Sequence, residues 1–176
     1  MHRNQLQHVI LEIGRQFVLK EIYVIGSAAI LAVMPEPPEG ELTATRDVDV
    51  IPPHDEERLA DQISFVLGEA SDFDAQYGYY AQGVTSETPE YAPFDWKSRT
   101  IDLSVAETVG RCMEPNDLIL SKLGAGRPKD LNFAKAAANL RLVRRGILLD
   151  RLQHIGCSDQ MRKLISARVG AIFAPR

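Results

Sequence analysis

Residues 47–51, Asp-Val-Asp-Val-Ile, constrain the fold more than any other stretch of this chain. Aspartates alternate with β-branched apolar residues, which is the pattern of a strand with one face in a core. Val48 and Val50 then point into that core, while Asp47 and Asp49 share the opposite face with their Cα atoms about 7 Å apart. Two ionised carboxylates so placed repel each other unless a cation sits between them, and hard divalent ions with oxygen ligands fill that role. Pro52-Pro53 ends the strand.

Upstream, the β-branched and aromatic run EIYVI, residues 21–25, reads as a second strand. It breaks at Gly26-Ser27 and passes into SAAILAVM, a short helix stopped by the proline cluster PEPPEG. Gly26 lets the backbone approach closely, and Ser27 with the start of that helix suits phosphate oxygens. Beside it, Asp47 and Asp49 would hold Mg²⁺ or Mn²⁺, and a pair of such ions can activate an attacking hydroxyl and stabilise a leaving pyrophosphate.

The remaining pattern predicts an α+β chain, a small mixed sheet flanked by helices with a helical C-terminal part. Leu6, Val9, Ile10, Ile13 and Phe17 recur at helical spacing, so residues 3–20 form an amphipathic helix. Asp55 is placed to cap a helix running to about Leu67. Residues 69–97 show one strand near Tyr79 to Val84 and no other organisation. Ile101, Leu103 and Val105 alternate with Thr100, Asp102 and Ser104, the period of a half-buried strand. Beyond it the chain turns helical: EPNDLILSKLGAG starts a helix behind a proline and stops at glycines, a helix runs from Pro128 to Gly146, and helices follow near 147–155 and 159–173. The expected organisation is an α/β core over residues 1–110 and a helical part of the same domain over 111–176.

The strand, Gly-Ser, helix and Asp-x-Asp strand resemble the nucleotidyltransferase superfamily typified by polymerase β. The segments YVIGSAAILAVMPEPPEGEL, YYAQGVTSETPEYAPFDW and CMEPNDLILSKLGAGRPKDLNF resemble, more closely, an uncharacterised bacterial nucleotidyltransferase-like family related to the AbiEii and MenT toxins. That resemblance implies a minimal nucleotidyltransferase fold over residues 22–155. It also implies a catalytic lysine and a later aspartate, for which Lys122 and Asp130 occupy the matching segment. Arg127 and Lys129, flanking Pro128, are placed to clasp phosphates or to neutralise the acidic half. Asp130 also suits the first turn of a helix whatever its function. A third metal carboxylate is implied on a later strand; Asp102 fits best by alternation, with Asp95 next. The implied substrates are a nucleoside triphosphate and an RNA acceptor, among which a tRNA end, or a protein side chain, and a cognate toxin or antitoxin is an implied partner. Nineteen residues separate Ser27 from Asp47, a longer spacing than in the shortest superfamily members.

Charge is divided along the chain. Residues 1–110 hold 7 Lys+Arg against 19 Asp+Glu, a net of −12, whereas residues 111–176 hold 13 against 5, a net of +8. Such a division places an acidic patch beside a basic one, suited to a metal-bound phosphate or a polyanion, or to mutual neutralisation. The longest mostly apolar stretch, residues 22–34, is broken by Gly26 and Ser27 and is too short for a bilayer; the N-terminal residues lack the apolar core of a signal peptide. A cytoplasmic protein without membrane contact is expected. Cys112 and Cys157 have no metal-ligand spacing. The rival in another class is a non-catalytic nucleotidyltransferase-like module that binds a partner, favoured if the third carboxylate is missing. A dehalogenase-type phosphatase is disfavoured by Ile51 and by the upstream Gly-Ser, and a glycosyltransferase by the absence of a larger nucleotide-sugar domain.

Overall fold

The computed structural model describes residues 1–175, apart from the side chain of Asp55. Five strands form one mixed sheet: β1 (Glu21–Ile25), β2 (Asp47–Ile51), β3 (Tyr80–Gly83), β4 (Ile101–Val105) and β5 (Thr108–Cys112). Their spatial order is β3-β2-β1-β5-β4. β1 runs antiparallel to β2 and parallel to β5, β2 is parallel to β3, and β4 and β5 form an antiparallel hairpin.

Seven α-helices accompany the sheet among the described residues. Helix α1 (Arg3–Phe17) buries Leu6, Val9, Ile10 and Ile13, each burial being worth about 1.5–3 kcal/mol over exposure. It stops at Val18, which adopts a left-handed conformation. The segment after Gly26 is a 3₁₀ turn, Ser27–Ala32, and not an α-helix. Helix α2 (Glu57–Leu67) begins behind Glu56 with no side-chain capping bond; the expected Asp55 cap falls on a side chain outside the described residues. A short α3 (Asp72–Tyr77), capped by the Ser71 hydroxyl accepting from the Asp74 amide, lies in the stretch where sequence patterning shows only a strand.

Two expectations are corrected. The chain does not turn helical directly after β4, because Thr108–Cys112 returns as β5 and inserts between β4 and β1. The last strand therefore ends at Cys112, and the helical part begins with α4 (Pro115–Ala125). The helix from Pro128 is also shorter than expected: α5 (Pro128–Asn139) ends before Gly146, and Arg141 turns the chain with a positive φ. Helices α6 (Arg145–Arg151) and α7 (Asp159–Ile172) complete the chain.

Residues from the sheet and from the C-terminal helices share one apolar core, from Leu6 and Val24 to Leu123, Phe133 and Ile165. A buried ionic cluster fixes the junction: Asp117, with no exposed side-chain surface, accepts from Arg99 at 2.9 and 3.1 Å and from Arg151 at 3.0 Å. Such pairing is what allows a carboxylate to be buried at all. Among the described residues no helix is long and apolar enough to cross a membrane.

Candidate active site

The register explains why the two aspartates meet the Gly-Ser turn. Asp49 lies opposite Ile25 across the antiparallel β1–β2 pair, and Ile25 leads directly into Gly26. Opposed residues point to the same face of a sheet, so the Asp49 carboxylate comes up beside the turn. A Cβ on Gly26 would stand 2.1 Å from Asp49 Oδ2, and Gly26 has φ +66° and ψ −167°. That region is accessible essentially to glycine alone. Asp47 shares this face, and its carboxylate accepts from the Thr45 hydroxyl.

Burial first, and then the charge on Asp47, push the Asp49 carboxyl from its ordinary 3.8 up to about 6. The two carboxylates thus already feel the conflict that their spacing implies.

The helical half supplies the opposite charge. Lys122, at the end of α4, donates from Nζ to Ser27 Oγ at 2.9 Å and to Asp130 Oδ1 at 3.3 Å. Its ammonium also lies 4.4 Å from the centre of the Phe133 ring. Burial lowers the Lys122 pKa against the opposing pull of Asp130. Asp130, in the first turn of α5, has no exposed side-chain surface and is gripped by Arg127 through Nε at 2.6 Å and Nη2 at 3.3 Å. Although burial works to raise the Asp130 pKa, the bonds from Arg127 and the charge of Lys122 hold it below its ordinary value. Asp130 is therefore an ionised clamp for Lys122, and more than a helix-dipole residue.

Two cavities flank the Lys122–Asp130 pair. A polar one of about 280 Å³ is lined by Ser27, Thr45, Asp47, Lys122 and Lys129. A smaller one of about 110 Å³ is lined by Gly26, Asp49, Met113, Leu118 and Arg127. Gly26, Ser27, Asp47, Asp49, Lys122, Arg127, Lys129 and Asp130 are thus brought together, from β1, β2 and the α4–α5 junction. A further pocket of about 300 Å³ between α1 and the β4–β5 turn holds Arg15, Lys20 and Glu107; Lys20 and Glu107 pair with each other at its rim.

Asp102 is not brought to this cleft. The register places it on the same sheet face as Asp49, as alternation indicates, but on β4, three strands from β2. At ordinary strand spacing that is about 14 Å. Tyr23 of β1 occupies the intervening face against Trp96, and Asp102 pairs with Arg111 at 3.4 Å. Asp95 is likewise engaged elsewhere, with Arg99.

The residue beside Asp49 on the adjacent strand is Gln82, an exposed amide for which sequence reasoning found no role. Among the described residues no group of three His, Cys, Asp or Glu side chains is placed to hold a metal ion. Two carboxylates remain as charged oxygen ligands. That set suits a Mg²⁺ ion, which is commonly held by one or two carboxylates together with substrate phosphates and water, and the raised Asp49 pKa marks a pair that a cation would relieve.

Sequence reasoning also missed Thr88, Pro89, Met113 and Ser121 in the lining of the smaller cavity. Thr88, Pro89 and Met113 lie outside helices and strands and Ser121 on α4, at positions whose spacing carries no chemical pattern, so their only signal was their presence in the family-like segments.

Comparison with known proteins agrees with this geometry. The model of a family described as "Nucleotidyltransferase of unknown function (DUF6036)" matches residues 5–163. No curated protein and no solved structure matches the chain. A match over nearly the whole length, carried by a fold in which the Gly-Ser turn and the paired aspartates meet, shows that the chain belongs to this nucleotidyltransferase family.

Proposed function

We propose that the protein transfers a nucleoside monophosphate from a nucleoside triphosphate to an acceptor hydroxyl, with Mg²⁺ or Mn²⁺ held by Asp47 and Asp49. The observation that carries this reading is the meeting of the two carboxylates with a lysine hydrogen-bonded to the serine of the Gly-Ser turn. When bound, the cation supplies charge neutralisation and polarises a phosphate oxygen.

The chain's own groups account for the rest of the site. Ser27 accepts from Lys122 through its oxygen and keeps its hydroxyl proton to donate to a phosphate. Lys122 has three donors, of which two are engaged, and its partly desolvated ammonium is suited to the negative charge that develops on departing pyrophosphate. Arg127 and Asp130 hold that lysine in place, and Lys129 adds a positive wall. As the acceptor oxygen bonds to the α-phosphorus, the bond to pyrophosphate breaks and the acceptor's proton leaves to water.

An RNA acceptor is favoured by the basic half. Arg141, Arg144 and Arg145 are exposed and form no ion pair among the described residues. The relation to toxin nucleotidyltransferases rests on the motif resemblance, and from it come a tRNA end or protein side chain as acceptor and a cognate toxin or antitoxin as partner. The second reading, a binding module without transfer, is favoured by one observation: the place beside Asp49 on β3 holds Gln82 and not a third carboxylate.

Incubation with each α-labelled nucleoside triphosphate, Mg²⁺ or Mn²⁺, total RNA and lysate separates the two. Transfer labels one macromolecule, and Asp47→Asn abolishes the label. Nucleotide binding with no label under any nucleotide supports the binding module.

A further inference from the structure

The smaller cavity beside Asp49 does not end at the catalytic cleft. Thr88, Ser121 and Ala125 line it together with Asp49, and the same three residues line a neighbouring pocket of about 350 Å³ with Tyr91, Met161 and Arg168. The smaller cavity thus adjoins that pocket along α4 and the loop after β3, between Asp49 and an aromatic ring. Its volume with that pocket reaches the range of small-ligand sites, roughly 300–1,000 Å³.

We propose that the two cavities open into one passage and form the nucleoside subsite of the transferase, with the base stacked against Tyr91 and the phosphates on the polar side of Lys122. The proposal rests on the nucleotidyltransferase reading above and deepens it.

The two sides of Lys122 differ in what they offer. On the polar side, Phe133 is 2% exposed beneath the Lys122 ammonium, and Tyr80 has Arg46 over its ring at 5.9 Å. Ser27, Thr45, Arg46 and Lys129 make that side a place for phosphate oxygens. Tyr91, by contrast, is partly exposed and has no ring or cation packed on it among the described residues. Its position is fixed from behind, since a Cβ on Gly124 would fall 2.2 Å from Tyr91 Cβ and Cγ. A glycine at that point of α4 lets the tyrosine lie against the helix backbone. Arg168 is held alongside by donating to the Leu123 and Gly124 carbonyls. A rigid aromatic side chain at the far end of a passage from the metal-binding pair has the chemistry that recognises a planar base. Stacking accepts any base, so the subsite fixes the nucleoside without reading its hydrogen-bonding edge.

The test compares the binding of nucleoside triphosphates with that of inorganic tripolyphosphate, both with Mg²⁺, by titration calorimetry. Tyr91→Ala is expected to weaken nucleotide binding by about tenfold, the lower part of the range for removing one base stack, and to leave tripolyphosphate binding unchanged. Tyr91→Phe should bind both as the wild type does. Ala125→Phe, at an exposed position in the neck of the passage, should also lose nucleotide selectively, and it keeps the test valid if Tyr91→Ala folds poorly. Equal weakening of both ligands, or unchanged nucleotide affinity in Tyr91→Ala and Ala125→Phe, overturns the subsite. A wild-type protein that binds neither ligand overturns the transferase reading beneath it.

Discussion

Replacing Asp49 with Asn should stabilise the metal-free protein at neutral pH, although it removes a residue of the candidate active site. Burial and the neighbouring Asp47 raise the Asp49 carboxyl from 3.8 to about 6 in the folded protein. Below about pH 4 both folded and unfolded chains hold the proton, and Asp49 has no effect on stability. Between about pH 4 and 6 the unfolded chain ionises first, the folded protein holds more protons, and stability falls as pH rises. Above about pH 6 the penalty is complete. A rise from 3.8 to about 6, at about 1.36 kcal/mol per pH unit, amounts to about 3 kcal/mol. Asn has no proton to titrate, so the variant should gain up to that amount at pH 7.5, roughly 6–12 °C in Tm for a chain of this size, and nothing near pH 4. Urea denaturation of both proteins at three pH values, with and without Mg²⁺, measures it. If the proposed site needs both carboxylates, Mg²⁺ should stabilise the wild type and not the variant. A variant no more stable at pH 7.5 than at pH 4, relative to wild type, would refute the repulsion argument.

Other substitutions test separate parts of the site. Gly26→Ala, forced into a glycine-only conformation and against the Asp49 carboxylate, should cost about 1–3 kcal/mol in denaturant titrations and abolish transfer. Lys122→Met should abolish labelling of the acceptor while the fold survives, since Arg127 still pairs with Asp130; circular dichroism and the labelling assay read the two effects apart. Asp102→Ala should leave Mg²⁺-dependent nucleotide affinity unchanged, because Arg111 holds it and two strands, β1 and β5, separate it from β2; a clear loss of affinity would restore it to the metal site. If RNA is the acceptor, replacing Arg144 and Arg145 together should flatten the salt dependence of RNA binding by about one to two units, near one for each phosphate no longer neutralised, in gel shifts at two salt concentrations. RNA binding that is absent, or insensitive to the double substitution, would favour a protein partner for the basic half.

What was legible in the sequence was local composition and periodicity. β-Branched and aromatic composition marked β1, alternation marked β2 and the shared face of Asp47 and Asp49, and helical spacing marked α1 with its buried stripe. The hairpin partner β5 was not legible, because Thr-Val-Gly-Arg-Cys carries only two β-branched residues and a glycine where a core strand would normally show an apolar run. Missing β5 concealed the strand order. Alternation correctly assigned the face of Asp102, yet no periodic signal states how many strands lie between two residues on one face, and Tyr23 and Arg111 fill that gap. The cluster of Lys122, Arg127 and Asp130 was legible only through resemblance to a family segment. Its physical logic, a buried carboxylate holding a lysine against Ser27, appears once α4 and α5 are folded against the turn.

The central claim is that Asp47, Asp49, Ser27 and Lys122 form one metal-dependent nucleotide site. Calorimetric titration of the wild type and of Asp47→Asn with a nucleoside triphosphate, each with and without Mg²⁺, tests it most directly. The account predicts tight binding by the wild type only when Mg²⁺ is present, and weak, metal-independent binding by the variant. Binding by Asp47→Asn that is as tight and as dependent on Mg²⁺ as that of the wild type would contradict it.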